Sequence, residues 1–277
     1  MILLFLFFLN LPISDLGVYK SCASLRAPNH HNIDSVTNSA LPYSAAIALV
    51  HYANSTITPQ QNKEELMITA KILSKRSPCN FLVYGLGFDS ILWHTLNHGG
   101  RTVFLEENSE WLETMAKDND YLEAYHVNYT TVLSEADELL SYARSNGDSI
   151  CSSAGINRAD LRMSDCKLVI KSLPSQIYDV KWDVIMIDAP TGFFPRAPGR
   201  MGAIFTSAVM AMAKLKGVES TDVLLHDVDR PVEKNFGLEF LCPKNLVESV
   251  GRLWHFNIPG EATPAGGKIA IKTSFCS

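Results

Sequence analysis

The fold is decided by Phe81-Leu82-Val83-Tyr84-Gly85-Leu86-Gly87-Phe88-Asp89-Ser90. The first four residues are apolar or aromatic, which is typical of a buried parallel strand, and the residues from Ser90 to Trp93 predict a helix. Gly85 and Gly87 lie between these elements. Because glycine has no Cβ, the backbone can turn sharply there and approach a ligand closely. The segment therefore predicts a nucleotide-like ligand at the carboxyl end of the first strand of an open sheet.

A second apolar stretch, Thr102 to Leu105, predicts a strand that ends at the acidic pair Glu106 and Glu107. Glu106 follows the glycines by about twenty residues, the distance at which a carboxylate binds the two hydroxyls of a ribose. Two alternatives to ligand binding stay open. One is that the glycines form only a tight strand-to-helix turn, and the other is that the acids are only a solvated pair at a helix start.

Ser90 separates two classes of cofactor. The dinucleotide fingerprint has its third glycine at this position, and a pyrophosphate needs a bare helix N-terminus as its anion site. S-adenosylmethionine has no phosphates, so Ser90 favours it over the cofactor of a nicotinamide-dependent oxidoreductase. The predicted cofactor-binding residues are Tyr84, Gly85, Gly87, Asp89, Glu106 and Glu107.

The composition is that of a globular protein. The chain has 277 residues, 47% hydrophobic content and a net charge of −5, which suffices for one domain with a sizeable core. Without a run of Lys and Arg, no nucleic-acid partner is predicted. Met1 to Leu9 is an apolar run too short to span a bilayer, which takes about twenty residues, and it is interpreted as a signal peptide or the remnant of a signal anchor. The alternative is an apolar N-terminus packed on the fold.

Residues 1–39 are accordingly predicted to be a targeting segment and stem that associate the protein with a membrane, and residues 40–277 to be the functional domain. Six cysteines without a Cys-x-x-Cys pair argue against structural zinc, and their even number fits a secretory lumen. Cys151 and Cys166 bracket a polar loop and are predicted to form a disulfide, the alternative being that all six are thiols.

From residue 40 the chain alternates predicted helices with predicted strands, as in a doubly wound α/β fold. The predicted helices are 44–53, one that opens at Thr58-Pro59 and runs through Ile72, 109–117, 134–143 and 203–214. The later strands are 125–129, 182–188 and 222–227, and the short apolar run Lys167 to Ile170 is predicted to add another.

Two of these strands end in ionisable residues, Asp188 on one and His226 with Asp227 on the other. Since the carboxyl ends of parallel strands share one edge, the three residues are predicted neighbours and catalytic residues. They form either a general base with an orienting partner, which is slightly favoured, or ligands for a divalent cation. Singly, Asp188 could cap a turn, His226 could be a core histidine and Asp227 could pair with Arg230.

The loop after Asp188 carries Phe193 and Phe194 together with nearby arginines. Aromatic rings and guanidinium groups could stack on a sugar ring and bind its carboxylate, or the arginines are only surface charges. The predicted substrate-binding residues are Phe193, Arg200 and Arg230.

Several motifs resemble, in the same order, the plant glucuronoxylan 4-O-methyltransferase family from about residue 44 to Cys276. They are the residues 77–87, 182–192 with 198–201, 226–230, 239–242 and 251–256. The resemblance implies a Rossmann-like, S-adenosylmethionine-dependent methyltransferase fold: a mainly parallel, doubly wound α/β sheet with N-terminal helices. It implies a Golgi enzyme, normally a type II membrane protein, that methylates O4 of glucuronic acid side chains on a cell-wall polysaccharide, most often glucuronoxylan.

Some members of this family act instead on arabinogalactan glucuronic acid, and others affect xylan without demonstrated methyl transfer. In that last branch the Asp-Ala-Pro segment is altered, whereas Asp188-Ala189-Pro190 is intact here and favours an active enzyme. The chain departs from the family at Phe88, where many members carry His, and in its short N-terminal anchor.

Overall fold

The structure is a computed structural model that describes residues 42–147, 150–151, 158–212, 220–260 and 275–276. All of them belong to one compact unit, Leu41–Ser277. The predicted targeting segment and stem, residues 1–39, lie outside the described residues and remain predictions. No helix within the described ranges is long and apolar enough to cross a bilayer.

Helices and strands alternate along the described chain, as predicted. The helices are α1 (Tyr43–Asn54), α2 (Lys63–Arg76), α3 (Ser90–Leu96), α4 (Ser109–Asp118), α5 (Ala136–Ser145), α6 (Ser175–Asp179), α7 (Met201–Met212) and α8 (Pro231–Phe236). The strands are β1 (Asn80–Tyr84), β2 (Arg101–Glu106), β3 (Glu123–His126), β4 (Val184–Ile187), β5 (Thr221–Leu225), β6 (Leu246–Val250) and β7 (Leu253–Ile258).

The strands form one seven-stranded sheet in the order β3-β2-β1-β4-β5-β7-β6. Strands β1 to β5 pair in parallel, and β7 pairs antiparallel with both β5 and β6. The order reverses between β1 and β4, which is the topological switch point where open α/β sheets bind ligands beyond the carboxyl ends of their strands. The predicted Rossmann-like α/β fold with a mainly parallel sheet and N-terminal helices is confirmed.

Both faces of the sheet are buried, as the continuous apolar run in β1 predicts. Phe81 and Val83 pack in a core cluster with Trp93 of α3, whereas Leu82 and Tyr84 pack in a second cluster with Phe205 of α7. Alternation of side chains along the strand thus connects both helical layers to β1.

Two local predictions are wrong. Helix α2 begins after Asn62, not at Thr58-Pro59, because Asn62 and Glu65 form a capping box in which each side chain accepts the other's backbone N–H. Lys167 to Ile170 is a turn and not a strand. Its apolar residues are buried because the segment packs against α7, where Thr206 Oγ1 accepts the Ile170 N–H at 3.1 Å.

The predicted disulfide between Cys151 and Cys166 is confirmed, and a second one, which was not predicted, joins Cys242 to Cys276. Cys22 lies outside the described residues. The Cys151–Cys166 bond closes a loop with a sequence separation of 15.

Replacing both Cys151 and Cys166 by Ser is expected to lower the free energy of unfolding by about 3 kcal/mol, because the open loop gains conformational entropy in the unfolded state. Denaturant titration of the variant against the oxidised protein measures this difference. A free energy of unfolding equal to that of the oxidised protein would contradict the prediction.

Candidate active site

The turn between β1 and α3 requires glycine where the sequence has it. Gly85 has φ +114°, a conformation that side-chain-bearing residues rarely adopt, and a Cβ there would lie 3.3 Å from the Ala189 Cβ. Ser90, at the position of the missing third glycine, accepts the Gly87 N–H through its hydroxyl at 3.0 Å. The turn is therefore closed by a side chain and does not expose a bare helix start.

A cleft of about 250 Å³ opens above this turn. Its walls are residues 83–89 together with Thr58, Pro59, Gln60, Trp93, Glu106, Trp111, Met186, Asp188 and Ala189. Three of these residues are carboxylic acids, four are the aromatic residues Tyr84, Phe88, Trp93 and Trp111, and none of the lining residues is Lys, Arg or His. An acidic, aromatic cleft fits a cationic ligand and disfavours one that carries phosphates.

Glu106 is 8% exposed and connects β2 to the turn after β1. Its carboxylate accepts the Leu86 N–H at 3.1 Å and the Asn108 N–H at 2.8 Å. Burial raises the pKa of Glu106 above its ordinary value, although these two backbone bonds act in the opposite direction. A carboxylate has about four acceptor positions, so lone pairs remain for the hydroxyls of a ligand in the cleft.

Glu107 has a different environment from Glu106. It does not line the cleft, and its Oε1 accepts the backbone N–H of Thr191 at 2.7 Å and its hydroxyl at 2.6 Å. Glu107 thus fastens the loop after β4 to the end of β2. Tyr84 has a buried ring and reaches the cleft wall next to Gly85.

Asp89 lies in the cleft together with Asp188. Burial raises the pKa of Asp89 to about 6, and the negative charge of Asp188 adds to this effect. Its carboxyl is therefore ionised only above mildly acidic pH.

A cationic cofactor is expected to bind more weakly as the pH falls below about 6, by up to about tenfold in Kd per pH unit, since protonation removes the charge of Asp89. Calorimetric titration with S-adenosylmethionine between about pH 5 and about pH 8 measures this dependence. Asp89→Asn is the control and should bind weakly with little pH dependence. An equally steep dependence in that variant would assign the effect to another group.

Asp188 and His226 are neighbours, as predicted. The Asp188 side chain is 18% exposed and lines the cleft, whereas the His226 side chain is 1% exposed and lies behind it. The His226 Nδ1 lies 2.9 Å from Asp188 Oδ1, and Gln61 Nε2 donates to Asp188 Oδ2 at 3.1 Å. The other imidazole nitrogen lies 3.4 Å from Glu65 Oε2. Among these groups Asp188 alone faces the cleft, so His226 can act on a ligand only through Asp188.

The pKa values of this pair shift in opposite directions. Burial acts to raise the pKa of Asp188, but the hydrogen bond from His226 and the charge of Arg200 outweigh it, so that the pKa is lowered. Burial acts to lower the pKa of His226, but its bond to Asp188 and the charges of Asp188 and Asp227 raise the pKa above 6.5. The lowered pKa favours the ionised form of Asp188, and the raised pKa favours the protonated form of His226.

Asp227 is surrounded by arginines. Its carboxylate lies 2.7 Å from Arg200 Nη2, 2.7 Å from Arg252 Nη1 and 3.0 Å from Arg230 Nη2. The predicted alternative, a pair with Arg230, is therefore present. With its side chain 5% exposed and its oxygens bonded to guanidinium groups, Asp227 does not face the cleft and cannot accept a proton from a substrate there.

The three predicted cation ligands lie close together. Asp188, His226 and Asp227 each offer an atom within 4.8 Å of the others. However, Arg200 Nη2 lies 3.2 Å from Asp188 Oδ1 and 2.7 Å from Asp227 Oδ2, so a positive group already bridges the two carboxylates. A divalent cation would face this guanidinium at short range, and the arrangement does not fit one.

The predicted substrate-binding residues differ in accessibility. Phe193 is 72% exposed and contacts Phe194 edge to face, and the Arg230 side chain is 28% exposed. Arg200 is 4% exposed and donates to the backbone oxygens of Asp188, Pro190 and His226. Arg200 is therefore a buried residue that fastens the loop after β4 to the loop after β5, and its predicted contact with substrate is corrected.

Several residues in and around the cleft were not predicted from the sequence. Trp111 lines the cleft and donates its indole N–H to the Leu86 carbonyl. Behind the cleft, Gln61 precedes α2, Glu65 lies in its first turn, and Arg252 lies in the turn before β7. The capping pattern of Asn62 with a Glu three residues later was a visible signal for the helix start. No local pattern indicates that this helix start lies against the ends of β4 and β5.

A family model described as IRX15/IRX15L/GXM matches residues 64–256. The chain belongs to the IRX15/IRX15L/GXM family. The resemblance to plant glucuronoxylan 4-O-methyltransferases found in the sequence is thereby confirmed. The match includes β1 to β5, Glu106, Asp188 and His226, whereas the cleft residues Thr58, Pro59 and Gln60 precede it.

Relatives within the IRX15/IRX15L/GXM family come from Arabidopsis thaliana. Glucuronoxylan 4-O-methyltransferase 2 is 47% identical over 236 residues, which cover 85% of this chain and 77% of the relative. Arabinogalactan O-methyltransferase 2 is 53% identical over 216 residues, covering 78% and 72%. Protein IRREGULAR XYLEM 15 is 42% identical over 223 residues, covering 80% and 68%. A crystal structure of a methyltransferase-like protein from Silicibacter pomeroyi aligns with a TM-score of 0.40 at 11% identity, covering 76% and 92%.

Proposed function

We propose that this protein is an S-adenosylmethionine-dependent O-methyltransferase that methylates O4 of glucuronic acid side chains on a cell-wall polysaccharide. The proposed polysaccharide is glucuronoxylan. One observation carries the proposal: Asp188 lies in an acidic, aromatic cleft beside the Gly85 turn, and the imidazole of His226 lies 2.9 Å behind it. The names of the relatives support the reaction type, since two of those described are methyltransferases.

The residues of the cleft fit this cofactor. Asp89 would bind the amino group at the amino-acid end of S-adenosylmethionine, and Glu106 would bind the ribose hydroxyls. Because Gly85 has no Cβ, the protein backbone there can approach the cofactor closely. S-adenosylmethionine supplies, when bound, a methyl group on a positively charged sulfur. The carboxylates and aromatic rings around it stabilise that charge, because both attract cations.

Asp188 is proposed to accept the proton of the attacking hydroxyl. When an oxygen lone pair forms the new bond to the methyl carbon, the carbon–sulfur bond would break and leave its electron pair on sulfur. The electrons of the O–H bond would return to oxygen, and the proton would pass to the carboxylate of Asp188. A carboxylate is a weak base for an alcohol, so the proton moves late in the transition state. Much of the rate therefore comes from holding the hydroxyl in line with the methyl group, and Asp188 is fixed for this by His226 and Gln61.

The loop after β4 is proposed to bind the sugar. Glu107 fastens it at Thr191, and its exposed rings Phe193 and Phe194 point outward beside Arg196. Aromatic rings stack on sugars, and a guanidinium group binds a carboxylate such as that of glucuronic acid.

The proposed location is the Golgi lumen, with membrane association through the apolar residues Met1 to Leu9. The two disulfides support an oxidising compartment, because such bonds persist mainly in secretory proteins.

Incubating the purified chain with methyl-labelled S-adenosylmethionine and a panel of polymers tests the proposal. Unmethylated glucuronoxylan, unmethylated arabinogalactan and xylan without glucuronic acid form the panel. Label on glucuronoxylan at O4, identified by NMR, is the expected result. Label on arabinogalactan alone would favour the alternative acceptor, which the 53% identity to an arabinogalactan O-methyltransferase supports. No label, with no cofactor binding in calorimetry, would indicate a non-catalytic role in xylan assembly.

A further inference from the structure

Three carboxylates surround the imidazole of His226. Its nitrogens lie 2.9 Å from Asp188, 3.4 Å from Glu65 and 3.6 Å from Asp227. One guanidinium group, that of Arg200, faces the same residue and donates to its carbonyl oxygen at 2.9 Å. Glu65 is the member of this group that comes from the N-terminal helices, and it does not line the cleft.

Glu65 and Asp188 contact opposite nitrogens of the ring. Asp188 faces Nδ1 and Glu65 faces Nε2. A neutral imidazole has one N–H and one lone pair, so one of the two contacts would place a lone pair against a carboxylate. Both contacts are favourable only when the ring carries two protons. The geometry therefore couples the protonation of His226 to the presence of a negative charge at Glu65.

Glu65 is itself fixed by contacts that do not involve the cleft. Its side chain accepts the Asn62 N–H at 2.8 Å, as part of the α2 capping box, and the Arg252 N–H at 2.6 Å. It is 0% exposed. The position of the charge is thus determined by the start of α2 and by the turn before β7.

We propose that Glu65 is a positioning residue for methyl transfer: it holds His226 doubly protonated and in a fixed orientation, and His226 in turn orients the ionised Asp188 toward the cleft. The inference rests on the proposed function for its effect on rate. The coupling between Glu65 and His226 is a property of the protein whether or not it methylates.

Glu65→Gln removes the charge while the side chain keeps its size, and Asn62→Ala is the matched control. Asn62 Oδ1 caps α2 by accepting the Glu65 N–H at 2.9 Å but does not contact His226. Both variants should lower the melting temperature. Asn62→Ala loses the bond from the Glu65 N–H, and Glu65→Gln leaves one amide oxygen for the two N–H groups of Asn62 and Arg252. Only Glu65→Gln should lower kcat, by about 10- to 100-fold. In metal sites this is the loss found when a group that orients a metal-binding side chain is removed. The Kd for S-adenosylmethionine should stay within about twofold in both variants.

Nitrogen NMR of protein labelled in its histidines provides a readout that does not depend on activity. His226→Gln assigns the signal. The expected result is an imidazole with two N–H groups at about pH 7 in the wild type and in Asn62→Ala, and a neutral ring in Glu65→Gln. The same protonation state in the wild type and in Glu65→Gln would overturn the proposal, as would an equal loss of kcat in Asn62→Ala. If the wild type transfers no methyl group, the proposed function fails, and the NMR comparison still decides the coupling.

Discussion

Replacing Asp188 by Asn is expected to abolish methyl transfer while S-adenosylmethionine still binds. A positioned general base contributes roughly 10²- to 10⁴-fold, and kcat should fall by about that factor. Cofactor binding should persist because the amide of Asp188→Asn can keep most of the contacts that Asp188 makes with His226 and Gln61, so the cleft keeps its shape. The Gln61 Oε1 has no hydrogen-bond partner among the described residues. If the Gln61 amide rotates, this oxygen can accept from the amide NH₂ of the variant.

Label transfer to glucuronoxylan measures kcat, and calorimetry measures the cofactor Kd. Asp229→Asn is a suitable control, because Asp229 is an exposed acid on the same rim. It should leave turnover unchanged. If Asp188→Asn kept more than about a tenth of wild-type turnover, Asp188 would not be the base.

The second large effect is expected at Glu106. Glu106→Gln should raise the Kd for S-adenosylmethionine by about 10- to 150-fold, since a hydrogen bond to a charged group contributes about 1.5–3 kcal/mol. Part of the loss arises within the protein. The two oxygens of Glu106 accept one N–H each, from Leu86 and Asn108, whereas the amide of the variant has one oxygen and an NH₂ group that cannot accept.

Glu107→Gln is the matched variant, with the same chemical change one residue away. Because Glu107 bonds to Thr191 and does not line the cleft, its Kd for the cofactor should stay within about twofold. The KM for polysaccharide should rise instead, as the sugar-binding loop loses its attachment to β2. Equal Kd values for both variants would contradict the different roles of the two acids.

The sequence predicted the part of the site that depends on short segments. The β1 strand, the Gly85 turn and Glu106 all follow from spacing within about thirty residues, because one βαβ unit builds them. Asp188 and His226 were predicted as neighbours since parallel strands end at a common edge, and their separation of 2.9 Å confirms it. That Glu106 and Asp89 bind a cofactor stays a prediction.

The errors have a common physical cause, which is long-range packing. The apolar residues of Lys167 to Ile170 are buried by α7, and apolar character alone does not distinguish a buried turn from a strand. Arg200 was predicted to bind substrate because it lies near Phe193 and Phe194 in the sequence and a guanidinium group binds a carboxylate. Its burial depends on Asp188 at the other end of the same loop and on Asp227 in the loop after β5, and no pattern around residue 200 indicates those partners.

The connection between α1 and α2 forms one wall of the cleft through Thr58, Pro59 and Gln60, ahead of the family-matched region 64–256. In the proposed reaction, a spent cofactor would leave the cleft beside this wall. Substitutions in these three residues would then change how fast the proposed product, S-adenosylhomocysteine, is released.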